Sequence, residues 1–162
     1  MQIMSSWATP DKRVLVLFSD AVTDFLFAFR QDRHQPEAGG ILLGHRRGNH
    51  VEITHATERV LTDHRTRVSF VRENHGYQEK AVELWKSSHG TIGYIGEWHT
   101  HPETVPSPSL VDINQWSQLP SRNANNAAML GVIVGITRLY VAVLRQNPPP
   151  TILQPERDVK RS

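Results

Sequence analysis

Two histidines one residue apart, His99 and His101, are followed by a proline-stiffened loop and then by Ser109 and Asp112, in the stretch GEWHTHPETVPSPSLVD that spans 96–112. If the histidines end a strand, alternate side chains share a face, and both imidazoles project the same way with Cα atoms about 6–7 Å apart. Both rings can then reach one metal ion at a Zn–N distance of about 2.0–2.1 Å. Ser109-x-x-Asp112 has the spacing of a capping box, with Asp in place of the usual Glu. A first-turn Asp also points out of a helix start and can supply an oxygen ligand, so cap and ligand are compatible roles. Two nitrogens and one oxygen leave a tetrahedral ion one open position, the mark of a catalytic rather than a structural zinc site. The pair alone is a weak signal, since short motifs recur by chance, but the combined spacing H-x-H-P-x6-S-x-x-D is far more specific.

Composition narrows the alternatives. The chain has 162 residues, enough for one ordinary domain with its own core. Cysteine is absent, which excludes disulfides, a thiol nucleophile and thiolate metal sites, so any metal must be held by His, Asp, Glu or water. The 18 Lys+Arg against 16 Asp+Glu give a net charge of +2, too weak an imbalance to argue for nucleic acid or an anionic membrane as partner. The first dozen residues carry no apolar run of the signal-peptide kind, and no stretch approaches the roughly 20 apolar residues of a membrane span. The expectation is a soluble protein of the cytoplasm.

The elements that must position these residues can be read from periodicity. RVLVLF (13–18) suits a buried strand, and SDAVTDFLFAFR (19–30) carries Val22, Phe25, Leu26 and Phe29 on one helical stripe with Ser19 as N-cap. QDRHQPE (31–37) is a polar loop. AGGILLGHR (38–46) and HVEITHATERV (50–60) read as two strands joined by a turn at Arg47-Gly48-Asn49, followed by polar sequence through Thr66 and a short strand at 67–71. The segment 73–90 reads as a helix with Tyr77, Ala81, Leu84 and Trp85 on one face and Gly90 as its stop. A strand at 91–101, a helix at 109–119 and two strands within 127–146, turning near Thr137-Arg138, follow; Arg138 and two glycines argue against a membrane helix there. The last 16 residues, 147–162, read as a polar, Pro-rich tail, extended or disordered, behind a domain at 1–146. Interspersed strands and helices give an α/β class with a mixed sheet.

With these residues in place, EWHTHPETVPSPSLVD resembles the motif of the JAMM (MPN+) metalloproteases, H-x-H-P followed by S-x-x-D. Thr100 stands where that family often has Ser. The family also has a glutamate upstream, on the first strand after the first helix, and Glu37 in PEAGGILLG (36–44) fits that position. The resemblance covers about residues 13–146. It implies an MPN (JAB) fold: a mixed, mostly antiparallel sheet flanked by helices, with a layout like that of cytidine deaminases. It implies Zn²⁺ on His99, His101 and Asp112, with Glu37 as the acid–base and Ser109 as hydrogen-bond donor to the oxyanion during hydrolysis of an amide. Glu97 shares the histidine face and reads as a surface or hydrogen-bonded Glu before the site, or else as a ligand or an acid that steers a histidine tautomer. Trp98, on the opposite face, and Trp116 read as core. His45, His55, His64, His75 and His89 lack ligand spacing with the pair.

Within the family, YIGEWHTHP and AVELWKSSHG look like the prokaryotic branch, and the pattern most resembles the small JAMM deconjugases of bacterial CBASS antiphage operons. That resemblance implies a protein substrate: a cGAS-like nucleotidyltransferase (CD-NTase), conjugated through its C-terminus to targets and released by cleavage just after that terminus. Two other readings stay open. One is a JAMM peptidase that processes a sulfur-carrier or other ubiquitin-like protein; the other is a non-catalytic MPN scaffold. The polar segments 57–67 and 117–126 correspond to insertions that contact the modifier in related JAMM enzymes and are expected to do so here.

Overall fold

Ser19 ends the apolar run of β2 (Leu15–Phe18) and caps α1 (Asp20–Ala28), its side chain accepting from Val22 N–H at 3.3 Å. One stripe of α1 faces inward: Val22 and Leu26 are buried, while Phe25 and Phe29 meet Trp98 with ring centroids 6.1 and 5.5 Å away. The computed structural model describes residues 5–30, 37–61, 75–117, 128–145, 147 and 149–156. The strand expected at 67–71, most of the polar segment at 57–67, residues 118–126 and the side chain of Tyr77 lie outside the described residues.

The remaining elements are β1 (Ser5–Ala8), β3 (Glu37–Arg47), β4 (His50–Ala56), β5 (Arg59–Leu61), α2 (His75–Ser87), β6 (Gly93–Thr100), α3 (Leu110–Trp116), β7 (Leu130–Val134), β8 (Leu139–Val143), β9 (Thr151–Ile152) and β10 (Gln154–Pro155). They form one mixed sheet in the order β10-β1-β2-β4-β3-β6-β7-β8-β9, with β5 also paired to β3. The pairs β2–β4 and β6–β7 are parallel, and the other described pairs are antiparallel. The two ends of this order are consecutive in the chain. β9 pairs with β8 and β10 with β1, and Leu153 between them is 1% exposed. The sheet therefore curls toward closure, leaving neither of its end strands as a long open edge.

This closure revises the expectation for the C-terminal segment. Residues 151–155 are extended, as their composition suggests, but they are paired into the sheet rather than trailing from it. The strand expected over 50–60 is also divided. β4 ends at Ala56, Thr57 N–H donates to Ile41 O at 3.0 Å, and β5 then pairs with Glu37–Gly39 at the other end of β3. Trp98 Nε1–H donates to the Thr57 carbonyl at 2.8 Å, giving the backbone at the break a buried partner.

Both faces of the central strands are covered. Consecutive runs of β3 (38–44) and β6 (95–100) and all of β7 are buried, without the alternation of a half-exposed sheet. Phe18, Leu42, Ile53, Trp98, Val132 and Leu153 share one core with α1. Ile41, Leu43, Trp116, Met129, Ile133 and Leu144 form the other, against which Ala81 and Leu84 of α2 pack. Trp85 does not join them: it is 54% exposed and lies across Gly90 and Gly93, where a Cβ would meet its ring at 3.2 and 3.5 Å. Helical spacing gave Trp85 the buried face, but the chain reverses at Gly90 (φ +80°) and offers the indole a glycine surface instead.

Candidate metal centre

His99 lies in β6, and His101 sits one residue past the strand's end, its N–H still donating to Val134 O at 3.0 Å. The ladder thus holds both residues in extended register, and the rings lie on one face with centroids 4.8 Å apart. Asp112 comes from the first turn of α3. Its N–H donates to Ser109 Oγ at 3.1 Å, and Ser109 N–H donates to Asp112 Oδ2 at 2.8 Å, a reciprocal capping box. Asp112 Oδ2 stands 3.4 Å from His99 Nε2 and 3.3 Å from His101 Nε2. One ligand atom from each of His99, His101 and Asp112 lies within 4.8 Å of the others, and all three residues are buried. Two imidazole nitrogens and a carboxylate oxygen are the donor set that zinc accepts in a chain without thiolates.

The helix that carries Asp112 is seated by Trp116. This indole is buried, stacks on Tyr140 at 6.2 Å and meets the His99 ring at 5.7 Å. It lies directly over Gly131, where a Cβ would come within 2.8 Å of ring atoms, so only a glycine lets α3 approach β7 this closely.

Glu37 is the first residue of β3, and its Oε1 lies 3.6 Å from His101 Nε2. Its side chain is 25% exposed, so it faces both the histidines and solvent. The strand start is tied down by Thr100: Ala38 N–H donates to the buried Thr100 Oγ1 at 3.0 Å, and Gly39 pairs in register with His99. A carboxylate and a ligand group separated by more than 60 residues in the chain therefore meet through one strand pair.

The profile of prokaryotic homologs of the JAB domain matches residues 19–149. This chain belongs to the prokaryotic JAB family. It is 39% identical over 159 residues to a CD-NTase/cGAS isopeptidase of Pseudomonas aeruginosa, covering 96% of this chain and 99% of that one. It is 38% identical over 123 residues to a CD-NTase/cGAS isopeptidase of Vibrio cholerae, covering 75% and 76% of the two chains. The solution structure of protein DSY2949 from Desulfitobacterium hafniense shares the fold, with a TM-score of 0.56 at 16% identity over 88% of this chain and 89% of that one.

Against this JAB frame, the fold brings all five motif residues together. His99, His101 and Asp112 converge, Glu37 lies beside His101, and Ser109 caps the helix that presents Asp112. Glu97 is buried on β6 opposite Ile41 in register, and it is not one of the three residues whose ligand atoms cluster. Trp98 and Trp116 are core residues, as expected. Sequence reasoning missed Glu103. Its Oε1 lies 3.0 Å from His101 Nδ1, on the ring edge away from Asp112. An acidic residue two positions past the second histidine was the available signal. No described helix is long and apolar enough to cross a membrane.

Proposed function

We propose that this protein is a zinc-dependent isopeptidase of bacterial antiviral defence. It would act in the cytoplasm, cleaving just after the C-terminus of a conjugated protein and releasing a cGAS-like nucleotidyltransferase (CD-NTase) from its targets. The observation that carries this reading is the convergence of His99 Nε2, His101 Nε2 and Asp112 Oδ2 beside the Glu37 carboxylate. The isopeptidase names of relatives similar over most of the chain supply the substrate class.

His99, His101 and Asp112 would hold the zinc. When bound, the ion supplies a Lewis acid that polarises an amide carbonyl and brings the pKa of a water down to about 7. Glu37, partly exposed at the rim of the site, takes the proton from the attacking water and returns it to the leaving amine. Ser109 has its oxygen occupied as acceptor from Asp112 N–H, which leaves its hydroxyl proton to donate to the oxyanion. Burial of the ligand carboxylate and imidazoles keeps water from competing for their lone pairs. No acyl-enzyme forms in this scheme, consistent with a chain that has no cysteine.

The test is a CD-NTase C-terminus fused through an amide to a reporter protein, incubated with the enzyme and analysed by mass. Cleavage after the terminal residue is expected, abolished by a chelator and restored by zinc. Glu37→Gln should retain zinc and lose about 10²–10⁴-fold in rate. Undiminished cutting after removal of metal sinks the mechanism. Cutting of a sulfur-carrier fusion in preference to the CD-NTase fusion sinks the substrate assignment.

A further inference from the structure

Glu103 reaches the same imidazole as the proposed metal, but from the other side. Its Oε1 lies 3.0 Å from His101 Nδ1, while His101 Nε2 faces Asp112 Oδ2 at 3.3 Å and Glu37 Oε1 at 3.6 Å. An ionised carboxylate can only accept a hydrogen bond, so the contact requires a proton on Nδ1. A neutral imidazole carries one ring proton. With the proton on Nδ1, Nε2 has its lone pair free for a metal. Two carboxylates on the Nε2 side compete for that proton, and a histidine captured by either of them presents N–H where a ligand needs a lone pair. Glu103 is the carboxylate on the Nδ1 side of the ring.

The position of Glu103 is set by a distant part of the chain. Its carbonyl accepts from Ile136 N–H at 2.8 Å, and Thr104 O accepts from Thr137 N–H at 3.2 Å and Thr137 Oγ1–H at 2.9 Å. These bonds clip the loop after His101 to the β7–β8 turn. Gly135 makes the approach possible: a Cβ there would sit 2.5 Å from Pro106 Cδ and 2.8 Å from Glu103 O. The Glu103 side chain itself is 46% exposed, so it is not held there by burial.

We propose that Glu103 is a positioning residue that holds His101 in the Nδ1–H tautomer, offering Nε2 to the metal, with the β7–β8 turn setting its place. The inference rests on the reading of His99, His101 and Asp112 as a zinc centre.

The experiment compares the full chain with Glu103→Ala and Glu103→Gln. Zinc affinity is measured by competition with a chromophoric chelator, and the His101 tautomer by nitrogen-detected NMR of the metal-free protein. Glu103→Ala should weaken zinc binding about ten- to a hundredfold and move the ring proton to Nε2. Glu103→Gln, whose amide oxygen can still accept from Nδ1–H, should recover most of the affinity. Unchanged melting temperatures establish that neither variant acts through misfolding, as the exposure of the side chain leads one to expect. Wild-type affinity and an unmoved proton in Glu103→Ala overturn this inference and leave the zinc centre standing. A wild-type protein that takes up no zinc overturns both.

Discussion

The backbone N–H of Ser109 donates to Asp112 Oδ2, the same oxygen that faces the Nε2 atoms of both histidines. The helix cap and the metal-facing carboxylate are thus one structure. The bond from Ser109 N–H fixes the rotamer of Asp112, and it also shares the negative charge that a cation would otherwise draw on alone. Because this donor is backbone, it survives Ser109→Ala, whereas the reciprocal bond from Asp112 N–H to Ser109 Oγ does not.

Ser109→Ala separates the two roles. Loss of the cap should cost about 1 kcal/mol of stability. Zinc content should stay near wild type, because the Ser109 N–H still holds Asp112. Loss of the hydroxyl donor should lower kcat by about 10²–10³-fold. Metal analysis, thermal melting and steady-state kinetics read the three effects independently. An unchanged kcat with only the stability loss would confine Ser109 to capping.

Gly131 and Trp116 form the seat of the helix that carries Asp112. Gly131→Ala places a methyl group within 2.8 Å of the Trp116 ring and 2.9 Å of Leu144 Cδ2. The overpacking should destabilise the fold by about 1–3 kcal/mol in urea titration. Zinc binding should weaken along with it, because α3 must shift for Trp116 to move. Near-UV circular dichroism follows the Trp116–Tyr140 stack directly, and an unaltered spectrum would count against this coupling.

Leu153 joins the two ends of the sheet. Its N–H donates to Val141 O at 2.8 Å, and its side chain is almost wholly buried between β9 and β10. Leu153→Ala should lower unfolding stability by about 2–5 kcal/mol, as for other buried leucines. Were the loss only about 0.5 kcal/mol, the size of a surface change, the segment would not belong to the cooperative core.

Tyr140 gives an alkaline signature. Burial beside Trp116 pushes its phenol above the ordinary tyrosine value of 10.0. Its folded pKa is raised, so its share of stability is complete below the unfolded pKa near 10 and is lost as pH rises through the folded value. Tyr140→Phe should flatten the decline in melting temperature above pH about 10 relative to wild type. Parallel declines in the two proteins would show that burial of the phenol is not what sets this dependence.

The site was legible where its logic is local. Strand alternation puts His99 and His101 on one face, and a three-residue spacing puts Ser109 and Asp112 in a reciprocal cap. Both follow from backbone geometry over a few residues. Helical spacing located Val22 and Leu26 correctly, yet it misled at Trp85, where the surface on offer was a pair of glycines rather than the core.

Residue type and spacing alone determined which atoms could hold an ion: two imidazoles and a carboxylate, with no thiolate to compete. The tertiary structure alone decided what surrounds them. Glu37 arrives through the pairing of β3 with β6, Glu103 is set by the β7–β8 turn, and the sheet is closed by residues 151–155. Strands β3, β6 and β7 are buried on both faces, so their sequences lack the alternation from which pairing partners and register could be inferred. Local periodicity specifies a face; only packing across the sheet specifies which distant residue meets it.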